Sequence, residues 1–403
     1  MARISCIHKT ATSSSAAGGP YSTIAGWHSS CDRATNGEEI GVICDDAAYD
    51  EMITLNKAVS GTNMLRLTSN DADLVYLIDG SPAPDVRPTG PFRDGARIVS
   101  TGSTPSVTID VSYAAVDHLS IVQNGTGDSC VRVTGQRTNI ALAYCAMEVQ
   151  ANIAGSSCVL LDTQSAVGTI LVGGCAFYGY DLAAIYREQG ATTGNHSGKV
   201  DLNEIVVTHC AGYADDADDS LAAFIFVAHN STSSPGDTTV ISVENCIGGW
   251  VGQSSTRQTS FADGTTSGRG TPNGVMTWNG SNNFDDGAGY ADIDGTDNLT
   301  SWVEGSTDPS TVDTTQSTGS YWVVSDLTAP ADFRLLDAAA GNAVVAAGLA
   351  SDSLALGTTA QQAIYDQTRD LRGYTYDPNT PDLGPFSYED HSTLDFIKQG
   401  ISI

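Results

Sequence analysis

Two runs of carboxylates are the residues of this chain best equipped to do chemistry. They are Asp215-Asp216-Ala217-Asp218-Asp219 and the looser set Asp285, Asp286, Asp292, Asp294 and Asp297. Facing carboxylates can cleave a glycosidic bond, one as acid and the other as nucleophile or base. Clustered carboxylates can also hold calcium. Neither run has a companion Arg or Lys close by, and neither repeats its acids at matching positions of successive repeats. Asp292-Ile293-Asp294-Gly295-Thr296-Asp297 loosely resembles a calcium loop but lacks the terminal Glu of an EF-hand. Both runs therefore read as solvated acidic loops, with calcium binding second and catalysis last.

The histidines and cysteines give no sharper signal. Seven His are scattered, at 8, 28, 118, 196, 209, 229 and 391. His209 adjoins Cys210, but strand alternation points it outward while Cys210 points inward, so the two cannot act as base and nucleophile. The nine Cys include no CxxC pair, which argues against a zinc knuckle. No catalytic, cofactor-binding or metal residue is assigned, and no cofactor is expected.

Charge narrows the partners. The chain has 47 acidic residues against 18 basic ones, a net −29. That balance excludes nonspecific nucleic-acid binding and adhesion to an anionic membrane. No apolar run is long enough to span a bilayer. The opening Met1-Ala2-Arg3-Ile4-Ser5-Cys6 has no apolar stretch of signal-peptide length, so synthesis in the cytosol is expected. Of the acids, 38 are Asp and only 9 are Glu, and 42 residues are Gly. Asp and Gly favour tight turns, so the composition points to many strands and few helices.

The elements that would position such residues are repeats. Five segments share an apolar-x-apolar-x-x-Cys/Asn pattern: Leu119/Ile121/Asn124, Ile140/Leu142/Cys145, Ile170/Val172/Cys175, Ile205/Val207/Cys210 and Ile241/Val243/Cys246. A weaker sixth copy is Met276/Trp278/Ser281. Period-two alternation marks strands with one buried face. A second strand follows each of the first four copies, at Ser129–Val133, Ser157–Leu161, Ala183–Tyr186 and Ala222–Phe226, after loops of variable length. Fixed strands with variable loops are the signature of a solenoid. Stacked at about 4.8 Å, Cys145, Cys175, Cys210 and Cys246 form an internal ladder of compact apolar side chains, which Asn124 would extend.

The expected fold is all-β: a single-stranded right-handed parallel β-helix with an N-terminal capping helix and an irregular C-terminal cap. Residues 1–30 hold the N-terminal segment and a short amphipathic helix that buries Ile24, Trp27 and Cys31. Residues 31–250 hold the coils, with early strands at Gly41–Cys44, Met52–Leu55, Met64–Thr68 and Leu74–Ile78. Residues 251–330 are loop-rich, 331–390 close the fold, and 391–403 form a tail.

Three segments resemble hallmarks of pectin-lyase-like β-helix proteins found among tailed-phage structural genes. They are Gly19-Pro20-Tyr21-Ser22-Thr23-Ile24-Ala25-Gly26-Trp27, the Ile-x-Val-x-x-Cys repeat, and a closing pair. That pair is Ala331-Asp332-Phe333-Arg334-Leu335-Leu336, then Asp370-Leu371-Arg372-Gly373 through Asp382-Leu383-Gly384-Pro385-Phe386-Ser387-Tyr388. The resemblance implies a virion protein, assembled in the host cytoplasm, whose partner is the major capsid protein or another virion protein; homo-oligomers are possible. Enzymes of this fold carry stacked lateral carboxylates, which are not found here. The expected function is thus a non-enzymatic capsid decoration or head spike. The alternative is a tailspike-type protein that binds or degrades polysaccharide, and a bacterial surface adhesin is a third class. The attachment patch is expected before Tyr21, in 252–330 or after His391.

Overall fold

A computed structural model describes residues 2–32, 37–57, 62–71, 73–89, 93–135, 137–149, 153–163, 168–188, 204–215, 223–229, 238–251, 261–265, 275–281, 284–285, 322–324, 332–335, 358–379, 381–382 and 384. Three long parallel sheets dominate it, of ten, eight and seven strands. The chain visits them in rotation. Ile140–Ala143 lies in the first sheet, Ala146–Val149 in the second and Ser157–Thr163 in the third; Thr169–Gly173, Ala176–Tyr178 and Ala183–Glu188 then pair beside them in the same order. The all-β, parallel-sheet character expected from the repeats is therefore present.

Cα register fixes the repeat. Along the first sheet, Ala114 pairs with Ile140, Ile140 with Ile170, Ile170 with Ile205, Ile205 with Ile241, and Ile241 with Trp278. Two expected copies are out of register. Leu119/Ile121 does not align with Ile140/Leu142, because Ser120 pairs with Ala146 in the second sheet. Leu119, not Asn124, therefore occupies the place of Cys145. Trp278, not Met276, faces Ile241. The first error has a physical cause. Only His118 and Leu119 separate the strands Ala114–Asp117 and Ser120–Gln123, so two alternating patterns run together.

Each coil also carries a strand that alternation alone does not separate from the loop. Ala211–Asp215 is one, so Asp215 ends a strand of the second sheet and is not in a loop. Near Leu74, only Leu77–Ile78 is extended, and it pairs antiparallel with Ser81–Pro82 outside the three main sheets. The closing segment's Asp332–Leu335 pairs antiparallel with Trp322–Val324.

Inward side chains from all three sheets form one continuous core, running from Ile7 and Trp27 through Leu142, Val172 and Val207 to Cys246. Burial on this scale is the main stabilising term of the fold. Helix α1 (Ile24–Ser30) closes the early end. Thr23 caps it by accepting from Gly26 N at 3.0 Å, and Glu51 accepts from the N–H groups of Ile24 and Ala25. Its Ile24 and Trp27 are fully buried. Trp27 presses so closely on Gly41 that a Cβ there would lie 2.5 Å from the indole ring. The residues before Tyr21 join the first sheet: Arg3–Ile7 pairs with Glu39–Ile43, and Gly18–Tyr21 pairs with Arg3–Ile7.

Candidate functional site at the closing segment

At five successive corners where the chain turns from the first sheet to the second, one residue adopts the left-handed conformation. These residues are His118, Tyr144, Gly174, His209 and Asn245, with φ from 48° to 62°. Each directly follows residues in parallel register, so the five form a column along the flank. Asn and His tolerate this conformation better than most residues, and Gly is free to adopt it. The next residue in each coil turns back into the core: Leu119, then Cys145, Cys175, Cys210 and Cys246. Each of these thiols donates to the carbonyl two residues earlier, at 3.2–3.4 Å, on Ala143, Gly173, Thr208 and Glu244 respectively. Cys recurs because it is small enough for the corner and its S–H reaches the turn's carbonyl.

The outer face of the first sheet is also apolar. Ala141, Leu171 and Val206 point away from the coil yet are fully buried. The closing segment, residues 358–384, lies against this flank. It begins with the short helix α2 (Thr359–Gln362), whose capping box joins Thr358 and Gln361. The side chain of Gln361 donates to the carbonyls of Ile140 (2.8 Å) and Thr169 (2.9 Å), on adjacent coils.

Tyr365 then enters a notch made by two glycines. A Cβ on Gly173 would lie 2.8 Å from the Tyr365 ring, and one on Gly174 would lie 2.8 Å from Tyr144 and 3.3 Å from Tyr365. The column and the segment thus interleave aromatic rings. His118 stacks on Tyr144 at 4.6 Å, Tyr144 meets Tyr365 at 5.2 Å, and His209 stacks on Tyr376 at 4.7 Å. The Tyr144 hydroxyl donates to the carbonyl of Asp366 and accepts from its N–H. Burial pushes all three tyrosine phenols upward, so they stay neutral.

His209 sits at the centre. It leaves the coil outward, as alternation requires, but the closing segment buries it completely. Its Nδ1 lies 3.0 Å from both the Tyr365 hydroxyl and Thr208 Oγ1, and its Nε2 lies 3.2 Å from Asn245 Nδ2. An amide nitrogen only donates, so Nε2 accepts and the ring proton is on Nδ1. Burial lowers the imidazole pKa to about 3. Cys210 lies on the opposite side of the chain, in the core, so the two side chains do not meet as nucleophile and base.

The column's other charged group is Asp117, fully buried. Arg66 grips it with two hydrogen bonds of 2.8 Å, and Thr68 Oγ1 and His118 Nδ1 complete its shell. Burial works to raise this carboxyl, but the Arg66 charge overrides that and holds it well below the usual carboxylate range. Asp370 and Arg372 of the closing segment pair in the same way, at 2.8 Å. Gln361, Tyr144, Tyr365 and His209 are thus engaged in holding the segment against the coils.

Two members of the acidic runs singled out in the sequence are among the described residues. Asp215 and Asp285 lie in strands of the second sheet, whereas Asp216, Asp218, Asp219, Asp286, Asp292, Asp294 and Asp297 lie outside the described residues. His196, His391 and the tail after it also lie outside them. Among the described residues, no group of three His, Cys, Asp or Glu is placed to hold a metal ion, and no helix is long and apolar enough to cross a membrane. Alternation did not identify Tyr144, Gly173-Gly174, Gln361 or Tyr365. Their one signal was Ile140–Ala143, Ile170–Val172 and Ile205–Val207, apolar on both faces and so requiring a cover. No family model matches the chain, and neither the curated proteins nor the solved structures include a match.

Proposed function

We propose that the chain is a right-handed parallel β-helix serving as a non-enzymatic structural protein of a tailed-virus particle, as a capsid decoration or head spike. One observation carries this reading. A ten-strand parallel ladder runs along the molecule, and the chain's own closing segment is fastened to its flank by Gln361 bonds to Ile140 and Thr169 and by the Tyr365–His209 bond. Such an object is a stiff shaft. The three segments that resemble phage-associated β-helices supply the virion context. With −29 charges, the shaft would meet a comparatively basic docking surface on the capsid protein, and salt would weaken that attachment.

The test incubates purified protein with undecorated capsids of the virus that encodes it, and separately with acidic and neutral polysaccharides, with and without calcium. Saturable capsid binding that weakens with salt supports the proposal. Steady release of unsaturated or reducing sugars would overturn it in favour of a polysaccharide-degrading tailspike.

A further inference from the structure

We propose that the closing segment is an acid-releasable strap, held shut by a His209 imidazole that must be neutral and opened when that imidazole takes a proton. The argument starts from hydrogen-bond geometry. Nδ1 already carries the ring proton, and Nε2 accepts from the Asn245 amide. Protonation at Nε2 would place two donors face to face at 3.2 Å, so the Asn245 amide must turn over or move away. The imidazolium would also be fully buried, and its three hydrogen-bond partners, Thr208, Tyr365 and Asn245, carry no charge.

The charged and titratable neighbours do not compensate. On the coil side are Tyr144, Cys210 and Glu244, whose backbone carbonyl accepts from the His209 N–H. On the strap side, Tyr365 and Tyr376 face the ring, both kept neutral by burial. Behind Tyr376 are Asp370, already paired with Arg372, and Asp382. The cheapest way to hydrate the imidazolium is to lift Tyr365 and Tyr376. The coil can stay intact, because Tyr365 and Tyr376 are not part of the continuous core. Opening would uncover the notch at Gly173 and Gly174 and the rings of Tyr144 and His209.

The sign follows from linkage. In the open strap a solvated imidazole titrates near its ordinary value of about 6.5, whereas in the closed strap it resists protonation. Strap closure is therefore strongest above that pH and weakens roughly tenfold per unit below it. Between pH 7.5 and 5.0 the closure equilibrium should fall about 30-fold.

Hydrogen exchange on the full chain measures this, with rates corrected for intrinsic pH dependence. Protection of the Tyr365 and Tyr376 amides should drop about 30-fold at pH 5.0, while the Val172 and Val207 amides keep theirs. In His209→Asn, a residue that Asn245 shows this column accepts, the drop should shrink to a few-fold. Unchanged wild-type protection, an equal drop in the variant, or parallel loss at Val172 and Val207 would each overturn the proposal. A second readout needs no variant: in NMR of the His209 imidazole on acidification from pH 7.5, any protonation must coincide with loss of Tyr365 protection. Protonation with the strap still protected would overturn it equally.

Discussion

Tyr365 and His209, 156 residues apart in sequence, meet through a 3.0 Å hydrogen bond in which the phenol oxygen faces imidazole Nδ1. The contact joins the closing segment to the fourth member of the left-handed column. It exists because Gly173 and Gly174 leave room for the Tyr365 ring one coil earlier.

That notch is testable. Gly173→Ala would put a methyl group within 2.8 Å of the Tyr365 ring, costing about 1–3 kcal/mol through overpacking. The strap should then be cleaved faster by protease. Tyr365→Leu in the same chain should recover part of the loss, giving a coupling of about 0.5–3 kcal/mol in a double-mutant cycle. Strict additivity in thermal melts would show that the ring does not use the notch.

Removing the Asp117 carboxylate should hurt far more than removing an exposed acid. Asp117→Asn leaves Arg66 without its counter-ion, at a cost of about 3–5 kcal/mol. The folded-state pKa is depressed, so the pair's contribution is full above the unfolded value of about 4 and fades as pH falls below it. The melting difference between wild type and variant should be equal at pH 7.5 and 5.0 and narrow below pH ~4. A difference that already shrinks between pH 7.5 and 5.0 would contradict this.

Burial drives the thiols of Cys145, Cys175 and Cys210 well above their ordinary pKa, and none of the nine cysteines is in a disulfide. These thiols should ignore a thiol reagent at pH 8 in the native protein, yet titrate fully once the protein is denatured without reductant. Disulfides linking Cys145 to Cys175, or Cys175 to Cys210, would show that the corner geometry is wrong.

Val207 is fully buried inside the coil, whereas Asp50 is exposed. Val207→Asp should lower stability by several kcal/mol through an unpaired buried carboxylate, while Asp50→Asn should stay within about 0.5 kcal/mol. Similar melting shifts for the two would reverse the assignment of inward and outward faces.

By itself the sequence determined the strand type, the parallel stacking and the inward faces. Ile140/Leu142, Ile170/Val172 and Ile205/Val207 alternate locally, and their inward positions require no knowledge of distant residues. It also determined the early helix, because Thr23, Ile24 and Trp27 carry the cap and the apolar face within five residues. Only the tertiary structure decided the register of Leu119, since an alternating pattern looks the same in either sheet and a two-residue corner leaves no mark between them. Only the tertiary structure decided that Ala141, Leu171 and Val206, outside the inward alternation, are buried as well. It decided the fate of His209 for the same reason: alternation says which side of a strand a residue faces, but not whether water or a distant segment waits there. Tyr365 fills that place because of contacts more than 150 residues apart in the chain, and no local periodicity encodes a partner at that separation.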